Sequence, residues 1–160
     1  MSSSLPPGYR LYPGSSLDRA LLLKFMQQTY EEMESGESYS HLALTVDQYL
    51  SQETPLWWVE VSDTEISGVQ KQPVACLWMG TAIDQLRGDR HTHIFLLYVT
   101  PEHRRRGLGT ALMRQAEEWA KIRGDRQIGL QVFQSNQAAV NLYQNLGYQT
   151  QALWMVKPLR

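Results

Sequence analysis

The stretch at residues 94–124, IFLLYVTPEHRRRGLGTALMRQAEEWAKIRG, limits what this chain can fold into more than any other part of it. Residues 94–99 are almost wholly apolar and read as a buried strand, which breaks at Thr100-Pro101. A basic loop follows, His103-Arg104-Arg105-Arg106-Gly107-Leu108-Gly109, and runs directly into a helix. The apolar positions of that helix, Leu108, Ala111, Leu112, Ala116, Trp119 and Ala120, have helical spacing, and Gly124 ends it. Two closely spaced glycines before a helix N-terminus permit close backbone approach and leave several amide N–H groups without a partner. Three arginines stand beside those donors, so the expected guest is an anion, phosphate first among them. The competing reading is a solvated basic loop, which is what most charge runs are.

The chain has 160 residues, 42% of them hydrophobic, which suits one domain with one substantial core. We expect a loose Ser- and Pro-rich segment at residues 1–8 and a single domain over 9–160. Formal net charge is −1, so the arginine cluster is a local feature, and general nucleic-acid binding is disfavoured. Cys76 is the only cysteine, which excludes an internal disulfide or a multi-cysteine metal site, and no metal is expected. No basic, apolar leader opens the sequence and no apolar stretch spans a bilayer, so a cytoplasmic protein without membrane attachment is the expectation.

The rest of the chain reads as alternating elements. Residues 9–12 suit a short strand, and a helix is predicted from Ser16 by the recurrence of Leu17, Leu21, Leu22, Phe25, Met26, Tyr30 and Met33. Its acidic end carries Glu31, Glu32 and Glu34, with Glu37 beyond. Thr45-Val46-Asp47-Gln48 has capping-box spacing and predicts a second short helix there, to about Leu50. Residues 56–61 and 74–83 form a strand pair joined by a long connection, with Gly80 a candidate bulge. Residues 127–133 should be a further strand. A helix at 136–146 follows, capped by Ser135 or Asn136 and ended by Gly147, and then a last strand at 152–156. Hairpin strands in the first half and strand–helix alternation in the second imply an α/β chain with a mixed, mostly antiparallel sheet and helices on both faces.

The arrangement strand, Arg-x-x-Gly-x-Gly, helix resembles the acyl-coenzyme A motif of the GCN5-related N-acetyltransferases (GNAT), matched here by Arg104, Gly107 and Gly109. It is neither the dinucleotide fingerprint nor the P-loop, which need further glycines or Gly-Lys-Ser/Thr. The order of elements over residues 9–158 is that of the same fold. The resemblance implies that the amides of Arg104, Arg105, Arg106, Gly107, Leu108, Gly109 and Thr110 hold the pyrophosphate of acetyl-CoA. It also implies that the pantetheine arm pairs with main-chain groups near Leu97, Tyr98 and Val99, in a gap beside the following strand.

A second signature, Ala139-x-x-x-Tyr143-x-x-x-Gly147-Tyr148, resembles the family pattern in which a tyrosine meets the thioester sulfur. By that resemblance Tyr143 is the candidate acid for the leaving thiolate and Asn136 a contact to the coenzyme; the plain alternative is that Tyr143 is a core aromatic. With reference values of about 10 for tyrosine and 8.5 for a thiol, full proton transfer is uphill by about 2 kcal/mol, which favours hydrogen bonding to sulfur over complete transfer.

A base must also take a proton from the amine. Many members of the family carry glutamate in the strand before the loop, where this sequence has Phe95. On period-2 geometry His93 shares a face with Phe95 and is the candidate base, against the commoner reading of a solvated histidine at a strand start. Glu60 is a further candidate. Trp57, Trp58 and Trp78 are core or interface aromatics, with the acceptor pocket as the other place for them. Cys76 reads as a buried small hydrophobe.

The expected activity is acetyl transfer from acetyl-CoA to a primary amine, of a small molecule or a protein, in a ternary complex. The rival reading is a non-catalytic acyl-CoA-binding module. Exposed strand edges and abundant aromatics also leave room for a homodimer.

Overall fold

The computed structural model describes residues 5–33, 40–62 and 72–160. Glu34, Glu37 and most of the long connection after the second strand lie outside them. Among the described residues the order is β1 (Tyr9–Pro13), a 3-10 turn (Ser16–Asp18), α1 (Arg19–Met33), α2 (Ser40–Tyr49), β2 (Leu56–Val61), β3 (Ala75–Ile83), β4 (Arg90–Val99), a second 3-10 turn (Pro101–His103), α3 (Leu108–Arg123), β5 (Ile128–Leu130) and α4 (Gln137–Asn145). The sheet runs β1-β2-β3-β4-β5, with the first four strands antiparallel and β5 parallel to β4.

Alternation along the strands builds a core on each face. On one, Leu56, Trp58, Cys76, Trp78, Leu96 and Tyr98 meet α1 and α2 through Leu22, Phe25, Leu42 and Val46. On the other, Val59, Leu77, Met79 and Ile94 meet Leu108, Leu112, Met113 and Ala116 of α3. The N-terminal cap of the first helical segment is tied to the sheet as well. Ser15 and Asp18 form a capping box, and Trp58 Nε1 donates to Asp18 Oδ2 at 3.0 Å.

Two elements differ from the sequence reading. The second helix begins at Ser40, and Thr45 lies inside it, donating from Oγ1 to the His41 carbonyl at 3.3 Å. The longer helix sets Leu42 and Val46 one turn apart on the sheet, and burying that pair outweighs the local capping signal. The strand expected at 127–133 shortens to β5, and the segment expected as a last strand, 152–156, joins no sheet.

The shortening of β5 follows from an irregularity in β4. Trp78 pairs with Leu96 and Met79 with Ile94, so Phe95 is an extra residue without a partner on β3. The Gly80 position named from the sequence therefore faces a bulge that sits in the opposite strand, at Phe95. A bulge bends its strand and raises the local twist. Pairing between β4 and β5 ends at the same level, with Ile94 opposite Leu130. Before that point the strands are pinned: Thr92 donates from N and Oγ1 to Asp125 Oδ2 at 2.7 and 2.6 Å. Beyond it the pairing ends, and among the described residues Phe95 to Val99 have no strand neighbour on that side.

Candidate functional site

The gap between β4 and the chain after β5 opens toward the N-terminus of α3. Gly107 caps that helix in the left-handed region, at φ 86°, which glycine adopts without strain. Arg105, a non-glycine residue, is also held at positive φ, 63°. Such a conformation costs on the order of 1–3 kcal/mol and is found preferentially at ligand clamps. The first turn of α3 leaves the amides of Leu108, Gly109 and Thr110 without carbonyls four residues back; the first such bond runs from Ala111 N to Gly107 O at 3.0 Å. A Cβ at Gly109 would lie 3.2 Å from Leu142, so the missing side chain also lets α4 come close to this helix start.

The three arginines divide their work. Arg104 turns toward α1: its Nη2 meets both Glu32 carboxylate oxygens at 2.8 and 2.7 Å, and Glu32 also accepts from the Tyr98 hydroxyl at 2.7 Å. Arg104 Nε donates to the Val99 carbonyl at 2.9 Å. Because Thr100 N donates to Val74 across β3, the carbonyl of the same peptide unit points out of the open edge of β4, where Arg104 occupies it. Arg106 donates to the Tyr9 hydroxyl at 3.1 Å, and that hydroxyl meets His103 Nδ1 at 2.8 Å. Arg105 is exposed and has no side-chain partner among the described residues, which leaves its guanidinium available to an anion at the helix start.

Tyr143 and Asn136 are brought to the same side by α4. Asn136 caps the helix, its Oδ1 accepting from Ala139 N at 3.3 Å, and among the described residues its side-chain NH2 has no acceptor. Tyr143 packs against the α3-side core and stands edge-on to Tyr148, with centroids 5.9 Å apart. Burial raises its hydroxyl to about 12, and among the described residues no side chain hydrogen-bonds to it. Tyr148 is held in turn by Glu117, whose Oε2 accepts from its hydroxyl at 3.1 Å.

His93 lies on the α1/α2 side with its ring edge-on to Phe95, centroids 5.8 Å apart. It pairs with Gly129 across the β4–β5 ladder, and His91 sits two residues earlier on the same face. The absence of a side chain at Gly129 makes room for both rings: a Cβ there would lie 3.1 Å from His91 Nε2 and 3.8 Å from His93 Nδ1. Desolvation, and then the neighbouring His91, hold His93 below the usual histidine range. Glu60, the other candidate base, is buried on β2 and ion-paired to Arg10, two strands from β4. Trp58 and Trp78 are core residues at 1% exposure, and Cys76 is buried in the same core with its thiol pushed up by burial.

The sequence reading missed His91 and the Glu32 anchor. Neither carries a motif. Only the β5 register and the packing of α1 bring them to the site. Among the described residues no group of three metal-ligating side chains occurs, and no helix is long and apolar enough to cross a membrane.

Residues 22–148 match the model of the acetyltransferase (GNAT) family. The chain is 33% identical over 95 residues to an uncharacterized N-acetyltransferase of Methanocaldococcus jannaschii, a match covering 59% of this chain and 34% of that protein. It spans about half or less of the first curated relatives it matches. In fold it is similar to a GCN5-related N-acetyltransferase from Ralstonia eutropha, with a TM-score of 0.72 and 24% identity over 95% of this chain and 99% of that one. A predicted acetyltransferase with acetyl-CoA from Clostridium acetobutylicum superposes with the same TM-score at 18% identity, covering 94% of this chain and 96% of that one.

Proposed function

The chain belongs to the acetyltransferase (GNAT) family, and from that premise we propose that it transfers an acetyl group from acetyl-CoA to a primary amine by direct attack in a ternary complex. The observation that carries this reading is the coincidence of two openings. The unpaired amides of α3 stand at the mouth of the gap that begins where β4 and β5 part at Ile94 and Leu130. A pyrophosphate suits the first opening and an extended arm rich in amides suits the second. The Clostridium protein, which shares the fold, is described with acetyl-CoA, and this supports that donor.

In this reading Arg105 and the amides from Gly107 to Thr110 hold the phosphates, while Leu97, Tyr98 and Val99 border the arm. The amine nitrogen attacks the thioester carbonyl, the carbon–sulfur bond breaks, and the thiolate leaves toward Tyr143. With its hydroxyl near 12 against about 8.5 for a thiol, full protonation by Tyr143 is uphill by roughly 5 kcal/mol. Its contribution is a hydrogen bond to the charge developing on sulfur.

His93, neutral at pH 7, takes the proton that the amine must lose. The stability due to neutral His93 is complete above the unfolded value of about 6.5 and is lost as pH falls through its lower folded value. Urea unfolding from pH 7 to 5 is therefore expected to show a steeper loss in the wild type than in His93→Gln. Superimposable curves would exclude a half-buried histidine held neutral by desolvation.

Calorimetry with acetyl-CoA tests the donor site: binding is expected, with affinity falling as salt rises because phosphate contacts dominate. No heat at millimolar acetyl-CoA would refute the reading. The hydrophobic Phe95 leaves a second reading open, an acyl-CoA-binding module without turnover, and a thiol-release assay over small amines and peptides separates the two. The compartment we propose is the cytoplasm.

A further inference from the structure

Arg104 opens the Arg-x-x-Gly-x-Gly loop, but its guanidinium is spent on α1 and on the end of β4. Its Nη2 meets both oxygens of Glu32, in the last turn of α1, and its Nε holds the Val99 carbonyl. The same group stands over the Tyr98 ring, 5.5 Å from the centroid, and the Tyr98 hydroxyl donates to Glu32. One arginine thus joins helix, strand and loop.

Local charge keeps it there. Glu32 lines a cavity of about 340 Å³ together with Glu31 and Glu102, and neither lysine nor arginine is in its wall. Among the described residues Arg104 is the only cation paired with any of these three carboxylates. Moving it to a phosphate would leave like charges gathered without a counter-ion, at the border of an anion site.

We propose that Glu32 is a positioning residue for the donor site: through Arg104 it ties the phosphate loop to α1, and the Arg104 guanidinium serves as a strut and not as a phosphate ligand. The inference rests on the reading of the α3 start as the phosphate site. Held this way, the loop presents Arg105, at φ 63°, and the amides that follow it before the donor arrives. A loop ordered in advance binds more tightly than one that must be ordered by its ligand. The sign of the effect separates the strut from plain electrostatics. A carboxylate beside an anion site repels the anion, so its removal would by charge alone tighten binding, and an arginine freed from Glu32 would tighten it further. The strut demands the reverse.

Calorimetry of the full chain with acetyl-CoA at fixed salt reads it. Glu32→Gln is expected to weaken binding about 10-fold, within the range for residues that act on a site without touching it. Arg104→Lys keeps the charge and loses the fork, so it should weaken binding as much as Arg104→Ala. Glu32→Gln combined with Arg104→Ala should bind no more weakly than either change alone, since both break one unit. The two side chains are 43% and 38% exposed, so the variants should keep the urea midpoint of the wild type. Unchanged or tighter binding in Glu32→Gln, near-wild-type binding in Arg104→Lys, or multiplied losses in the double variant would each overturn the strut. So would a midpoint lowered in step with affinity, which would make Glu32 a residue of stability alone. A wild type that does not bind would remove the donor reading and the strut together, whereas the other failures leave that reading standing.

Discussion

Tyr143→Phe should lower turnover of an identified amine about 100-fold while leaving acetyl-CoA affinity within twofold of wild type. The scale is that of removing one preorganised donor from charge that develops only in the transition state. Ground-state binding is spared because the hydroxyl makes no hydrogen bond with the described residues, and the ring's packing against the α3-side core survives in phenylalanine. For the same reason stability should change by less than about 0.5 kcal/mol, since no buried partner is orphaned. The check is steady-state kinetics beside calorimetry and urea unfolding on one preparation. Unchanged turnover would remove Tyr143 from the chemistry; a matched loss of acetyl-CoA affinity would make it a binding residue.

Gly80→Ala should destabilise the fold by about 2–3 kcal/mol, the upper range for overpacking a core. A Cβ at Gly80 would stand 2.2 Å from Cζ and 2.3 Å from Cε2 of Phe95, whose ring lies across the glycine. That ring is also packed edge-on to Trp78, with centroids 4.9 Å apart, and has little room to withdraw. In a Phe95→Ala background the same Gly80→Ala step should cost less than about 0.5 kcal/mol, a coupling expected of residues in direct contact. Urea unfolding of the four proteins in the cycle measures it. Equal costs in both backgrounds would show that Phe95 does not lie over Gly80, and with it the account of the bulge would fall.

That pair shows where sequence reasoning reaches its limit. The glycine in β3 reads as a local irregularity, but the extra residue is Phe95 on the partner strand. Period 2 sets His93 and Phe95 on one face, and the structure agrees. It also puts Leu96 on that face, which no periodicity contains, because a bulge is a property of two strands paired and not of either alone. The end of β5 pairing has the same origin. Residues 131–133 have strand composition, but the pairing of β5 with β4 ends at Leu130 and Ile94, next to the extra residue Phe95.

The arginines make the same point in electrostatic terms. In sequence Arg104, Arg105 and Arg106 are three equivalent charges beside a glycine loop. In space, Glu32 of α1 takes the first and Tyr9 of β1 takes the third, while Arg105, between them, stays open. Long-range partners made that division: Glu32 and Tyr9 lie 72 and 97 residues from the arginines they hold.

What the sequence by itself determined are the features that a few neighbouring residues encode. They include the glycine-capped start of α3 at Gly107, the cap of α4 at Asn136, the amphipathic faces of α1 and α3, and the alternation that puts a core on each side of the sheet. These follow from backbone conformation and from periods of 3.6 and 2, which act within a turn or a pleat. What only the tertiary structure decided are the bulge at Phe95, the parting of β4 from β5, and the placement of His91 and His93 around Gly129. Each arises where segments distant in sequence compete for the same space or the same hydrogen bonds, and that competition is settled by packing.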